Sequence, residues 1–503
     1  MSEITLNVAS VRPRRNLTAW GALGLSLGIV APSLAMSGNG QGTALLVGKA
    51  VPLIFVLGAV GILLISHGFI RLTQRYNQAG SAYALVGKTL GPRAGFFSGW
   101  GVMITYLFFA IGNVGAIGSF VNAFLANAQS NSAHPFHVPW LLSGTVGLVL
   151  ATMLATREFR NVVRTLLIIE GIGVLSMTIL CIVIFAKGGN IHAGGISFST
   201  FSFKGQNFSG IMGAVVGAFL SWGGFEGAAA LGEETNNPSR NIPRALLTCV
   251  LGSSVLFIVV MFAQTVGFGT NAAGIKAFSS SGNSLAQLGH TYVGLWFSLV
   301  LSFTAIMSSF GCLLGSASTS GRLLFAFSRD GVGPRSWGRL DQRGEPTQAL
   351  YAVVVITFVI SLLSFMSGHP TMGTGDAALD MYFYYSIIGA ITLMVAYLMV
   401  ELGAIRHLVT ERREKIAEVV LPILGSVLII AVFYYNMKSQ TSWAAAPFIA
   451  FALMAVGLVI TMAFPNLATK VSTGLNRDMG EAEGKELPGS SGIGRGPFPT
   501  TEV

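Results

Sequence analysis

Apolar residues along this 503-residue chain come in long blocks, separated by short polar stretches rich in arginine. A bilayer core takes about 20 apolar residues per helix. Blocks of that order recur at 17–40, 43–70, 94–126, 138–156, 163–186, 209–234, 243–268, 291–325, 347–367, 379–402, 418–437 and 442–464. The pattern predicts an all-α integral membrane protein with twelve transmembrane helices. Blocks 94–126 and 291–325 exceed what a bilayer requires, so tilted or protruding helices are expected there. Residues 1–16 read as a polar, basic cytoplasmic segment. The first block lacks a small-residue cleavage site and reads as a signal anchor. Residues 465–503, rich in Gly, Pro, Ser, Glu and Lys, read as a disordered cytoplasmic tail.

Positive charge follows the same alternation. With the N-terminus inside, 25 of the 30 lysines and arginines fall on the cytoplasmic side, leaving only Lys49, Lys187, Lys204, Lys276 and Lys438 outside. One crossing more or fewer would scramble this segregation. The positive-inside rule therefore predicts a multi-pass plasma (inner) membrane protein with both termini cytoplasmic. Charged residues make up only 10% of the chain, against about 25% in soluble domains, which excludes a water-facing surface. The net charge of +10 is explained by topology and anionic inner-leaflet lipid, with no call for nucleic acid. Cys181, Cys249 and Cys312 sit inside apolar blocks and read as small buried side chains. No disulfide or metal spacing, and no cofactor motif, is present.

Two blocks carry helix breakers. The first reads Gly28-Ile29-Val30-Ala31-Pro32-Ser33. Pro32 removes a backbone donor and clashes with the preceding turn, yet it suits the first turn of a new helix. A break at Val30, Ala31, Pro32 and Ser33 thus competes with a simple kink. The sixth block reads Phe219-Leu220-Ser221-Trp222-Gly223-Gly224-Phe225-Glu226. Its paired glycines cost about 2 kcal/mol of helix stability against alanines, which is tolerated where the backbone lines a cavity. The two blocks cross in opposite directions, as a five-plus-five inverted repeat requires. Repeat one would cover about 17–186 and repeat two about 209–402, with two extra C-terminal helices at 418–464 completing a transporter domain of 17–464. The outer half of the first helix would aim free N–H groups at a carboxylate. The broken sixth helix would offer carbonyl oxygens to an ammonium, with Phe219, Trp222 and Phe225 as candidates to roof the substrate.

Three motifs, in order, resemble those of the amino acid–polyamine–organocation permeases, and the likeness extends over roughly 17–464. They are Tyr76-Asn77-Gln78-Ala79-Gly80-Ser81-Ala82-Tyr83 with Leu90-Gly91-Pro92 and Gly99-Trp100; Gly224-Phe225-Glu226 with Glu233-Glu234 and Pro238-Ser239-Arg240-Asn241-Ile242-Pro243; and the basic loop from Arg322 to Pro334. The resemblance implies a secondary transporter with its substrate site at the breaks of helices one and six. Two departures matter. The family's first helix often reads Gly-x-Gly-Ile, where this chain has Gly28-Ile29-Val30-Ala31-Pro32-Ser33. A lysine in the fifth helix of some members falls at Glu170 here, so the lysine's role does not carry over.

Glu170 and Glu226 are the acids well inside the expected spans. An intramembrane carboxylate is expensive unless paired or protonated, so both are candidate proton-coupling or gating groups, with a structural carboxyl as the plain alternative. Glu233 and Glu234 are expected to pair with loop arginines. Ser308, Ser309, Ser316 and Ser318 offer hydroxyls for sodium, against the commoner bonding of serines to their own helix. Tyr382, Tyr384 and Tyr385 are candidates to gate the site from outside, or to anchor the interface.

These features predict secondary active transport of amino acids or related amines across the plasma membrane by alternating access, with proton coupling and exchange both open. The scarcity of pocket acids favours neutral or weakly polar amino acids. An ion carrier or channel of the potassium type on the same scaffold, and a non-transporting amino acid sensor, are the alternatives. An enzyme is not expected, because no ligand set or nucleophile–base pair appears.

Overall fold

The computed structural model describes residues 18–76, 82–129, 136–156, 160–231, 235–329, 331–342, 344–411, 416–438 and 445–464. The terminal segments 1–16 and 465–503, and Glu233 and Glu234, lie outside them. The regular elements are helices: α1 (Ala19–Val30), α2 (Pro32–Val47), α3 (Val51–Arg75), α4 (Ala82–Thr89), α5 (Pro92–Ala128), α6 (Trp140–Ala155), α7 (Arg160–Ala186) and α8 (Phe208–Leu220). They continue with α9 (Pro238–Phe268), α10 (Ala272–Ser279), α11 (Ser284–Tyr292), α12 (Leu295–Arg329), α13 (Thr347–Ser367), α14 (Ala377–Glu411), α15 (Ile416–Met437) and α16 (Ala445–Ala463).

Helix starts follow local chemistry. Proline occupies the first or second position of α2, α3, α5 and α9, where its missing N–H has no partner to lose. Asn207, Asn271 and Asn283 cap α8, α10 and α11, each side chain accepting a backbone N–H of the first turn. Nine stretches among the described residues are long and apolar enough to cross a membrane, and Ala19–Arg75 counts as one of them. Trp140–Ala155 and Phe208–Leu220 are shorter apolar helices.

Burial sorts the helices into a centre and a rim. In their most apolar windows α5 is 89% and α14 is 83% buried, whereas α13, α15 and α16 are only 28–33% buried. The rim helices present Val355, Leu363, Val427, Ile430 and Val459 outward, as lipid-facing surfaces do. The central pair, α5 and α14, forms the largest helix–helix contact. It needs small residues: a Cβ on Gly115 would lie 2.5 Å from the carbonyl oxygen of Ala378. Several boundaries differ from the hydropathy blocks, α2 running to Val47 across the division expected between 40 and 43, and α3 on to Arg75. The helix expected to end at 402 runs on to Glu411, and the stretch between blocks 243–268 and 291–325 holds α10 and α11.

Candidate functional site

The first apolar block is two helices joined at one residue. Ala31 adopts a left-handed conformation (φ 49°, ψ 63°), and Pro32 opens α2. A new helix start leaves N–H donors without intrahelical partners. Pro32 has none to offer. The Ser33 N–H donates to Oε1 of Glu170 on α7 at 2.6 Å, the Leu34 N–H to Oγ of Ser308 on α12 at 3.1 Å, and the Ala35 N–H to the Ala31 carbonyl at 2.9 Å. The donors expected to await a substrate carboxylate are therefore already taken. Glu170, expected from sequence to be a proton-coupling or gating group or else a structural carboxyl, is a buried acid that caps this helix end.

The second interruption lies alongside. After Leu220 the chain makes a run of tight turns, with Trp222, Gly223, Phe225 and Gly227 each donating to the carbonyl three residues earlier. A 3₁₀ segment follows over Phe225–Leu231. The carbonyls of Phe219, Leu220, Trp222 and Gly224 each accept one of these bonds. Gly224 has φ +100°, and a Cβ there would stand 2.2 Å from Cγ2 of Ile29 on α1. Ser26 stitches the breaks together: its hydroxyl donates to the Phe225 carbonyl at 3.0 Å and accepts the Ala228 N–H at 2.9 Å. Ser26→Ala removes both of these bonds between the breaks, at about 1–3 kcal/mol. The expected outcome is a lower midpoint of thermal unfolding in detergent, and an unchanged midpoint would show that water replaces the hydroxyl.

The three candidate roofing aromatics face elsewhere. Trp222 is fully buried between Phe55 of α3 and Phe257 of α9. Phe225 packs against Phe69 and Tyr397. The Phe219 ring lies against Gly61 of α3. A broken helix still has to bury its outer face, and these rings do so. Tyr385 is likewise apart from the breaks, bonded to Ser364 at 2.8 Å. It borders a groove with Tyr384 and Pro370.

Two cavities meet the interruptions. The smaller, about 20 Å³, is bordered by Val30, Asn39, Asn113, Gly223, Tyr382 and Cys312, among others. Asn39 donates to Ser221 Oγ at 2.8 Å and accepts from the Tyr382 hydroxyl at 2.8 Å, joining α2, the turn after α8, and α14. Oδ1 of Asn113 and the hydroxyl of Ser386, which also borders this space, have no partner among the described residues. The larger cavity, about 230 Å³, runs from Glu170 and Ser308 between α1, α7 and α12 as far as Arg322. Its walls are Ile29, Leu166, Leu167, Met307 and Leu314. Of the serines considered for sodium, Ser308 is spent on Leu34 and Ser309 bonds its own helix at Ala305. Ser318 borders the larger cavity, and Ser316 lies 3.9 Å from Cys312 Sγ.

Glu226 sits at the head of the 3₁₀ segment, buried. The Tyr106 hydroxyl donates to Oε1 at 3.1 Å and the Tyr397 hydroxyl to Oε2 at 2.6 Å. A third acid, Glu401, was not among the expected intramembrane carboxyls. It is fully buried one turn beyond Tyr397 on α14, and neither oxygen has a partner among the described residues. It fits only because Gly68 of α3 has no side chain: a Cβ there would meet Oε1 at 2.3 Å. Asn39, Asn113, Tyr106 and Tyr397 were also missed. Each is an ordinary polar residue in an apolar block, given meaning by a partner more than a hundred residues away or by a neighbouring void.

The amino acid permease family model matches residues 21–473. The chain is similar to the branched-chain amino acid permease BcaP of Lactococcus lactis subsp. cremoris, 27% identical over 68% of this chain and 75% of the relative. It is similar to the low-affinity putrescine importer PlaP of Escherichia coli K12, 27% identical over 66% and 71%. The aromatic amino acid transport protein AroP of Escherichia coli O157:H7 is 23% identical over 59% and 62%.

Proposed function

Because the chain belongs to the amino acid permease family, we propose that it moves an amino acid or a closely related amine across the plasma membrane by alternating access, as a secondary transporter. The observation that carries this reading is the meeting of two interrupted helices beside buried polar groups: Ala31 and Gly224 at the breaks, Asn39, Asn113 and Tyr382 around the small cavity. Interrupted helices with polar groups between them are how transporters hold small solutes at mid-membrane depth.

In this proposal the chain crosses twelve times within 17–464, with α1–α2 as the first crossing and α8 with its 3₁₀ continuation as the sixth. The two are equivalent members of inverted five-helix repeats. The larger cavity is the cytoplasmic vestibule, since it ends at Arg322, near the C-terminal end of α12 where the basic residues begin. The small cavity, with Val30, Ala31, Pro32, Ser33, Ser221, Gly223 and Gly224 around or next to it, is the substrate site in a closed-down state. Tyr382 closes it through Asn39. Glu226, held by two tyrosines, is the proton-coupling group, and exchange without protons is the competing mode.

The test is a thermal-shift screen of the purified protein against amino acids and amines, followed by uptake of each stabilising compound into proteoliposomes. At least one compound should both stabilise and accumulate. Stabilisation with no flux for every hit would favour a sensor, and selective flux of potassium would favour the ion carrier.

A further inference from the structure

We propose that Glu170 is a built-in substitute for a substrate carboxylate, so that the ligand this site prefers is an amine without one. The inference rests on the transport reading and narrows its substrate class. The start of α2 is where a carboxylate ligand would dock, because its N–H donors and dipole favour negative charge. In this protein the position is filled by the chain itself: Ser33 N–H on Glu170 Oε1 at 2.6 Å, and Leu34 N–H on Ser308 Oγ at 3.1 Å. Gly173, one turn further along α7, lets the two helices come this close, since a Cβ there would fall 2.0 Å from Ser33 Oγ.

The consequences are electrostatic. A second carboxylate at the same helix end would meet Glu170 at contact distance, and like charges repel strongly where water is scarce. An ammonium meets the opposite situation. An ionised carboxyl has about four acceptor directions, so the bond from Ser33 leaves capacity for a further donor. Glu170 and Ser308 both line the larger cavity, whose remaining walls near them are the apolar side chains of Ile29, Leu166, Leu167 and Met307. The larger cavity, which shares Ile29 with the small one, thus accepts a charged amine head with an aliphatic or aromatic body behind it, at the vestibule end of the transport path. Arg322 is the opposing charge on the same cavity. It lies fourteen residues along α12 from Ser308, about 21 Å at helical rise, and it faces Glu345 at 4.0 Å.

The experiment compares amines with their carboxylated counterparts: isopentylamine with leucine, phenethylamine with phenylalanine, and putrescine with ornithine. Affinities are measured by calorimetry on the purified full chain, with monodispersity on size exclusion as the folding control. The parent should bind the amine of at least one pair about tenfold or more tighter than its amino acid, a gap of one decade. Glu170→Gln keeps an acceptor for Ser33 and removes the charge, so it should erase that gap. Glu170→Ala frees the Ser33 N–H and should reverse the preference by strengthening amino acid binding. Tighter binding of the amino acid by the parent in every pair, or a preference untouched by both variants, overturns the inference and leaves the transport reading standing. Absence of binding by all six compounds overturns the inference, and the transport reading falls only if the full panel of amino acids and amines gives no hit either.

Discussion

Gly224→Ala is expected to cut substrate uptake about tenfold or more, and Gly224→Leu to abolish it, in protein that still inserts and remains monodisperse. Two physical effects combine at this residue. Its φ of +100° lies where an L-residue is strained, by about 1–2 kcal/mol even in the mildest left-handed case. The new Cβ would also stand 2.2 Å from Ile29, and overpacking of this kind costs about 1–3 kcal/mol. Relief must come from moving α1 away from the turn after α8, which pulls apart the two breaks that border the small cavity. Gly223→Leu acts differently, placing its side chain towards the Phe109 ring, 3.0 Å from the Cβ position, in a space of about 20 Å³. It should remove binding without displacing α1. Gly252→Ala is the control, because a Cβ on that α9 residue meets nothing within 4 Å. Uptake near the parental level by Gly224→Leu would mean that the breaks are not where the substrate sits.

The second large effect is expected from Glu226→Gln: acceleration of uptake by an imposed proton gradient should disappear while substrate binding survives. Glutamine preserves the shape of the site. Tyrosine hydroxyls accept as well as donate, so the amide can hold both Tyr106 and Tyr397 in place of the carboxyl. What it cannot do is take up and release a proton. The measurement is initial uptake in proteoliposomes with and without a pH gradient, for the parent and for Glu226→Gln. A variant as gradient-driven as the parent would leave proton-independent exchange as the mode. The same assay on Glu170→Gln separates the acids, since Glu170 is engaged with the start of α2 and Glu226 with the hydroxyls of Tyr106 and Tyr397.

The breaks were legible in the sequence because backbone chemistry announces them. Pro32 cannot continue a helix, and the pair Gly223-Gly224 supplies the positive φ that the chain uses. Side-chain direction was not legible. Trp222 beside two glycines looks the same in sequence whether it faces a substrate or, as it does, Phe55 and Phe257. Glu170 was visible as an acid in an apolar block, but its role depends on Ser33, 137 positions away. Glu401 escaped because the apolar count stopped at 402, where charges begin, although α14 continues to Glu411. The short helices α10 and α11 carried readable signals in Asn271 and Asn283, whose side chains cap them.

Cys312 gives direct access to the proposed substrate site, since it borders the small cavity together with Asn39, Asn113 and Gly223. The other two cysteines, Cys181 and Cys249, are buried elsewhere and can be replaced by serine to leave Cys312 as the sole thiol. The decisive measurement is the rate at which a small methanethiosulfonate reagent modifies Cys312 in proteoliposomes, with and without a saturating concentration of a compound shown to be taken up. Markedly slower modification in the presence of that compound is the expected result. An unchanged rate, with uptake of the same compound intact, would contradict a substrate site between the two interrupted helices.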